Sequence, residues 1–117
     1  MTPENAPSRP ESVARAFLAA TNAFDIEAAL RCFRPEAVID DPSTGETFDG
    51  MAGVRDYVMR FFVGYRTCSR VIAVQRPARD RARLRVDFTG DFGHEIGWLD
   101  VAIDADGRIL RIDADLE

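Results

Sequence analysis

Two carboxylates end the short apolar run Ala37-Val38-Ile39-Asp40-Asp41-Pro42, and a proline stops it. The β-branched pair Val38-Ile39 favours extended backbone. Pro42 holds Asp41 extended and ends any ladder there. Alternation along a strand puts Ile39 and Asp41 on one face and Val38 and Asp40 on the other. With Ile39 facing a core, Asp41 lies at the rim of that core and Asp40 in solvent. A carboxylate at such a rim has two readings. It is a base held beside an apolar cavity, or it is the Asp of an ordinary Asp-Pro turn.

Other reactive groups are few. Glu95 shares strand parity with Gly97 and Leu99 and so faces inward near a cavity mouth, as a second acid or hydrogen-bond donor or as a rim charge in water. Tyr57 falls on an apolar helical stripe, where its phenol orients a ligand or fills the core with the hydroxyl satisfied. His94 has the opposite parity to Glu95 and reads as surface. One histidine and no cysteine cluster leave too few ligands for a zinc site, so no metal is expected. Cys32 and Cys68 read as buried thiols and not as a disulfide framework. Every basic residue is arginine, which excludes Schiff-base chemistry on a lysine. There is no phosphate-cradling glycine loop and no Gly-x-Ser-x-Gly elbow.

The elements that must position these groups follow from periodicity. Residues 1–7 read as a flexible tail and 8–117 as one domain. Ser8-Arg9-Pro10-Glu11 resembles a capping box, opening a helix to about 23 with Val13, Phe17, Ala20 and Phe24 on its stripe. Asp25 caps a second helix over 26–33, and Arg34-Pro35-Glu36 breaks it. A strand over 37–41, a turn over 42–45 and an edge strand over 46–48 come next. A third helix over 51–62 carries Val54, Tyr57, Val58 and Phe61 inward and stops at Gly64. Period-two strands are predicted over 68–76, ended by Pro77, then 81–88, 94–103 and 108–116. The third and fourth of these are joined by a turn at Asp106-Gly107. On the second, Ala82, Leu84, Val86 and Phe88 face one way, and on the last Leu110, Ile112, Ala114 and Leu116 do. Helices followed by a strand meander predict an α+β fold, with a curved antiparallel sheet wrapped around helices to leave a conical cavity.

Composition narrows the partners. The chain is 46% hydrophobic and 30% charged with a net charge of -5, which argues against nucleic acid as a partner. No apolar run approaches the roughly 20 residues of a membrane span, and Met1-Thr2-Pro3-Glu4-Asn5 lacks the pattern of a leader. The expectation is a cytoplasmic protein with no membrane partner. Trp98 falls on the outer sheet face and suggests an interface anchor.

Phe17-Leu18-Ala19-Ala20-Thr21-Asn22-Ala23, Asp25, Phe33, Asp40-Asp41-Pro42 and Gly50 with Val54-Arg55-Asp56-Tyr57 together resemble the nuclear transport factor 2-like superfamily, in its ketosteroid isomerase and SnoaL-like polyketide cyclase branch. The resemblance covers residue 8 to the end. It implies a cystatin-like cone, no cofactor, a homodimer, and Asp41 as the general base that moves a proton beside a ketone. Together with the strand parity and helical stripes above, the expected site takes a hydrophobic small molecule, is catalytic at Asp41 and Glu95, and is lined by Phe17, Tyr57, Val58, Phe61, Val86, Phe88, Leu99 and Ile112. The isomerases further use a tyrosine and a protonated aspartic acid as oxyanion donors. Here Phe17 and Leu99 stand at those positions. One such donor is worth roughly 3 to 4 kcal/mol, so steroid isomerisation itself is not expected. The resemblance implies an isomerase, cyclase or lyase using Asp41, or a ligand-binding or assembly domain without chemistry.

Overall fold

The computed structural model describes residues 8–117; the expected tail over 1–7 lies outside them. Three helices come from the first half: α1 (Arg9–Asn22), α2 (Ile26–Arg31) and α3 (Gly50–Tyr57). The strands are β1 (Phe33–Asp41), β2 (Glu46–Asp49), β3 (Cys68–Ala78), β4 (Arg81–Gly90), β5 (Gly93–Ile103) and β6 (Ile109–Leu116). They form one sheet in the order β2-β1-β6-β5-β4-β3. All pairs are antiparallel except β1 with β6, which is parallel.

Local chemistry explains most boundaries. Ser8 Oγ accepts a hydrogen bond from the Glu11 N–H at 3.3 Å and starts α1. The Glu11 carboxylate, buried, accepts from Arg15 at 3.0 Å and from Arg76 of β3. Phe24 adopts a left-handed φ of 55°, which ends the helix and turns its ring outward. The sequence pattern had placed that ring on the buried stripe. Asp25 caps α2 through the Ala28 N–H at 3.0 Å, as expected. The helix stops at Arg31, and Phe33 already belongs to β1, aligned with Ile109.

The core and register follow the alternation. Phe17, Ile39, Leu84, Val86, Val101 and Ile112 are all buried on the helix side of the sheet. Arg83, Arg85 and Asp100 are half-buried and Arg111 and Asp113 exposed on the other side. Two strand details depart from the expected pattern. A register shift beside Ile103 leaves Leu110 outside the ladder and exposed, with Ile109 buried instead. Pro77 does not end β3. It lies where the register with β4 shifts between Gln75 and Ala78, on an edge strand that tolerates a missing donor. Neither cysteine is fully buried: Cys32 is half-buried, where loss of water pushes its thiol up against the lowering effect of Arg31, and Cys68 is exposed.

The third helix changes form in the middle. After Tyr57 it continues as a π-helix over Val58–Val63, with five-residue hydrogen-bond spacing in place of four. Val58 and Phe62 are buried, and Phe61 is half-buried. Val54, Tyr57, Val58, Phe61 and Phe62 fall at i, i+3, i+4, i+7 and i+8, so an α-helical pattern already carries Phe62 at the edge of the inward stripe.

Candidate functional site

The site is built where β1 ends. Ala37, Ile39 and Asp41 alternate inward and are buried, Asp41 with 8% of its surface exposed. Pro42 then turns the chain through a short 3-10 helix over Pro42–Thr44, and Asp41 caps it. Its Oδ1 accepts from the Ser43 N–H at 3.1 Å and from the Ser43 hydroxyl at 2.6 Å. The Thr44 hydroxyl donates to the Asp41 carbonyl at 2.8 Å. Asp41 is therefore a turn former and a cavity group at once; the two readings of Asp-Pro are not exclusive here.

Tyr57 ends α3 facing this turn. Its ring is held by Phe48, Phe61 and Phe62, with centroids 5.0, 5.1 and 5.9 Å away. Its hydroxyl donates to Asp41 Oδ2 at 2.6 Å. Burial, then the Asp41 charge and this hydrogen bond, hold the phenol well above its ordinary range, so it stays a donor. The cost of burying the carboxylate is met by these three donors.

A cavity of about 410 Å³ opens from this pair, a size suited to a small molecule. Phe61, Phe62, Phe88, Leu99 and Ala114 line it, and Tyr65, Phe92, Glu95 and Leu116 border it together with Trp98. Arg60 is the cation in the lining. It is paired with Glu46 at 2.9 Å and Asp56 at 3.2 Å, and its guanidinium lies 4.9 Å from the Phe61 ring centre. Arg55, a helix cation close in sequence to Tyr57, pairs with Glu27. Among the described residues no three metal-ligating side chains converge on one point.

Of the side chains singled out from sequence, Asp41, Tyr57, Phe61, Phe88, Leu99 and Glu95 border the cavity. Glu95 is exposed and lies at the mouth, far less buried than Asp41. Phe17, Val58, Val86 and Ile112 do not reach the cavity. Each is at most 1% exposed and belongs to the packing behind its wall. Phe17 is screened by Phe62, which packs against it edge-on at 5.7 Å and itself lines the cavity. Sequence reasoning missed Ser43, Phe62, Tyr65 and Phe92. Ser43 was within reach, because a serine two residues after the Asp of an Asp-Pro turn is a standard partner for the capping carboxylate. Phe62 was also within reach, because it falls at i+8 from Val54 on the stripe that carries Tyr57, Val58 and Phe61.

On the outer face of the sheet, His94 Nε2 lies 2.6 Å from Asp87 Oδ1, and Asp40 pairs with Arg111 at 3.3 Å. The Arg83 guanidinium stacks 4.3 Å from the Trp98 ring centre, and the Trp98 N–H donates to Glu117 at 3.0 Å. No helix of the described residues is long and apolar enough to cross a membrane.

Solved structures share this fold at low identity. A provisionally assigned polyketide cyclase of Sinorhizobium meliloti superposes with a TM-score of 0.82 at 19% identity, covering 98% of this chain and 100% of that one. A provisionally assigned ketosteroid isomerase of Kribbella flavida gives 0.80 at 16% identity over 93% and 78%. A Mycobacterium tuberculosis protein in complex with estradiol-17beta-hemisuccinate gives 0.79 at 15% identity over 92% and 93%. No curated protein matches the chain by sequence. The profile of the SnoaL-like domain matches residues 14–114. With the Asp-Pro strand end and this match in agreement, the chain belongs to the SnoaL-like domain family, and its fold is that of solved nuclear transport factor 2-like proteins.

Proposed function

We propose that the cavity binds a hydrophobic, polycyclic small molecule and that Asp41 acts on it as a proton acceptor, without a cofactor. The observation that carries this reading is the Asp41 carboxylate itself. It is 8% exposed at the floor of an aromatic cavity and fixed by Tyr57 and Ser43. A carboxylate has about four lone-pair positions, and three are used here. The fourth, on Oδ2, is open to a substrate proton. Taking a proton from one carbon and returning it to another is the chemistry of an isomerase, and proton removal alone serves a cyclase or lyase. In this reading Glu95, at the mouth, serves as a second acid. The steroid ester bound by the Mycobacterium tuberculosis relative supports a polycyclic ligand.

A second reading is a binding domain without chemistry. It is favoured by Phe17 and Leu99 at the positions where the isomerases carry oxyanion donors. Proton exchange separates the two. Bicyclic and tricyclic carbon acids such as tetralone and anthrone are incubated with the protein in heavy water, and deuterium uptake is followed by NMR. Asp41→Asn is expected to lose at least about 100-fold of the exchange rate, the scale of a positioned general base. Ligand binding without exchange in the wild type leaves the binding domain.

The same reading includes a homodimer paired through the outer sheet face, around Trp98. That face is self-complementary: Arg81, Arg83, Arg85 and Arg111 alternate with Asp40, Asp100, Asp113 and Asp115. A second copy related by a two-fold axis sets these rows against each other.

A further inference from the structure

The hydrogen-bonding groups around the cavity are unevenly spent, and this bears on the ligand. At the floor every donor is used inside the protein. The Ser43 N–H and hydroxyl go to Asp41 Oδ1, and the Tyr57 hydroxyl goes to Oδ2. The Thr44 hydroxyl goes to the Asp41 carbonyl, and the Thr67 hydroxyl to the Phe61 carbonyl at 2.6 Å. The donors left over, Arg60 and the exposed Tyr65, stand toward the surface.

Acceptors are the opposite. Asp41 Oδ2 keeps one open position. Glu95 borders the cavity, and its carboxylate takes part in no hydrogen bond or ion pair among the described residues. A carbonyl oxygen pushed to the floor gives up its water and meets no partner, and an unpaired buried acceptor is costly. A hydroxyl or ammonium pushed to the same place meets a charged acceptor, the stronger kind of hydrogen bond.

We infer that the ligand brings its own hydrogen-bond donor, a hydroxyl, phenol or protonated amine on a polycyclic skeleton, and docks it on Oδ2 of Asp41. This rests on the reading of the cavity as a small-molecule site with Asp41 at its floor. It goes further in selecting hydroxylated or amino-bearing polycycles over simple ketones of the same shape. The Tyr57 hydroxyl remains the partner of the same oxygen.

A matched series of probes tests it: naphthol, naphthylmethylamine, acetonaphthone and naphthalene, titrated into the full chain by calorimetry. Naphthol and the amine are expected to bind at least about tenfold more tightly than the ketone and the bare hydrocarbon. Asp41→Asn puts an amide donor at the floor and is expected to narrow or invert that order. In the wild type, the carboxyl carbon of Asp41 should shift in NMR with the two donor probes and not with naphthalene. This measurement stands on its own if the variant does not fold. Equal or tighter binding of the ketone overturns the inference while the cavity reading survives. The same order in Asp41→Asn also overturns it. Failure of all four probes to bind overturns both.

Discussion

Tyr57 shows how one side chain joins packing to chemistry. Its ring is part of an aromatic cluster with Phe48, Phe61 and Phe62, and its hydroxyl fixes the carboxylate that faces the cavity. Tyr57→Phe keeps the ring and removes a hydrogen bond to a charged acceptor. The expected loss is about 2 kcal/mol of stability, read from urea unfolding. Position 17 gives a second expectation. Phe17→Tyr restores the side-chain type of the isomerases but places a hydroxyl behind Phe62, in a core where Phe17 is 1% exposed. We expect a loss of about 1–3 kcal/mol from an unsatisfied buried hydroxyl and no gain in isomerase turnover. A spectrophotometric assay on a conjugating ketone, beside a thermal melt, checks both. Asp41 was legible in the sequence because alternation from Ile39 and the break at Pro42 fix its direction without any distant contact. Its partner Tyr57 was legible only as an inward residue, since the two lie 16 positions apart and nothing local shows that they meet.

Strands and turns were the most legible elements. Period-two alternation in Ala82, Leu84 and Val86 depends only on backbone geometry, and all three are buried. The errors fall where an element stops being regular: the left-handed Phe24 and the register shifts that expose Leu110 and carry β3 past Pro77. Each is a tertiary compromise that adds or removes one residue from a repeat, and periodicity cannot carry such a step. The β5–β6 turn is held by a locally readable Asp-Gly signal and by something the signal does not contain. Asp104 Oδ1 accepts from the N–H groups of Asp106 and Arg108, each at 2.9 Å, and Oδ2 accepts from Arg34 of β1 at 2.9 Å. The Arg108 N–H foremost, with Arg34 and the Asp106 N–H behind it, lowers the Asp104 carboxyl from its ordinary value near 3.8. A carboxyl lowered by folding stabilises the fold above its unfolded value, and that stabilisation is lost as pH falls through the folded value. Asp104→Asn is therefore expected to melt earlier than the wild type at pH near 7. The gap should close in acid below the ordinary carboxylate range. Melting curves at both pH values check the sign.

At the scale of the whole molecule, the outer sheet face is the untested surface. Equilibrium sedimentation is expected to show a dimer, and Trp98→Ala with Arg83→Glu to shift it toward monomer by removing the stacked pair and reversing one charge. Persistence of the dimer in that double variant would place the contact elsewhere. The fold class was legible from the order of elements, helices first and a meander after. The parallel pairing of β1 with β6 was not, because its partners lie about 70 positions apart and nothing local announces them. That pairing also has a consequence in time. β6 is the last strand in chain order and lies between β1 and β5 in the sheet. Until it is inserted, β1 and β2 have no ladder to the β3–β4–β5 meander. A chain emerging from the ribosome therefore carries two halves that cannot be joined, and such long-range pairings form slowly. Asp41 lies on one side of that seam, and Phe88 and Leu99 lie on the other. The cavity is consequently a late product of folding, and lesions in β6 would delay its appearance before they altered its shape.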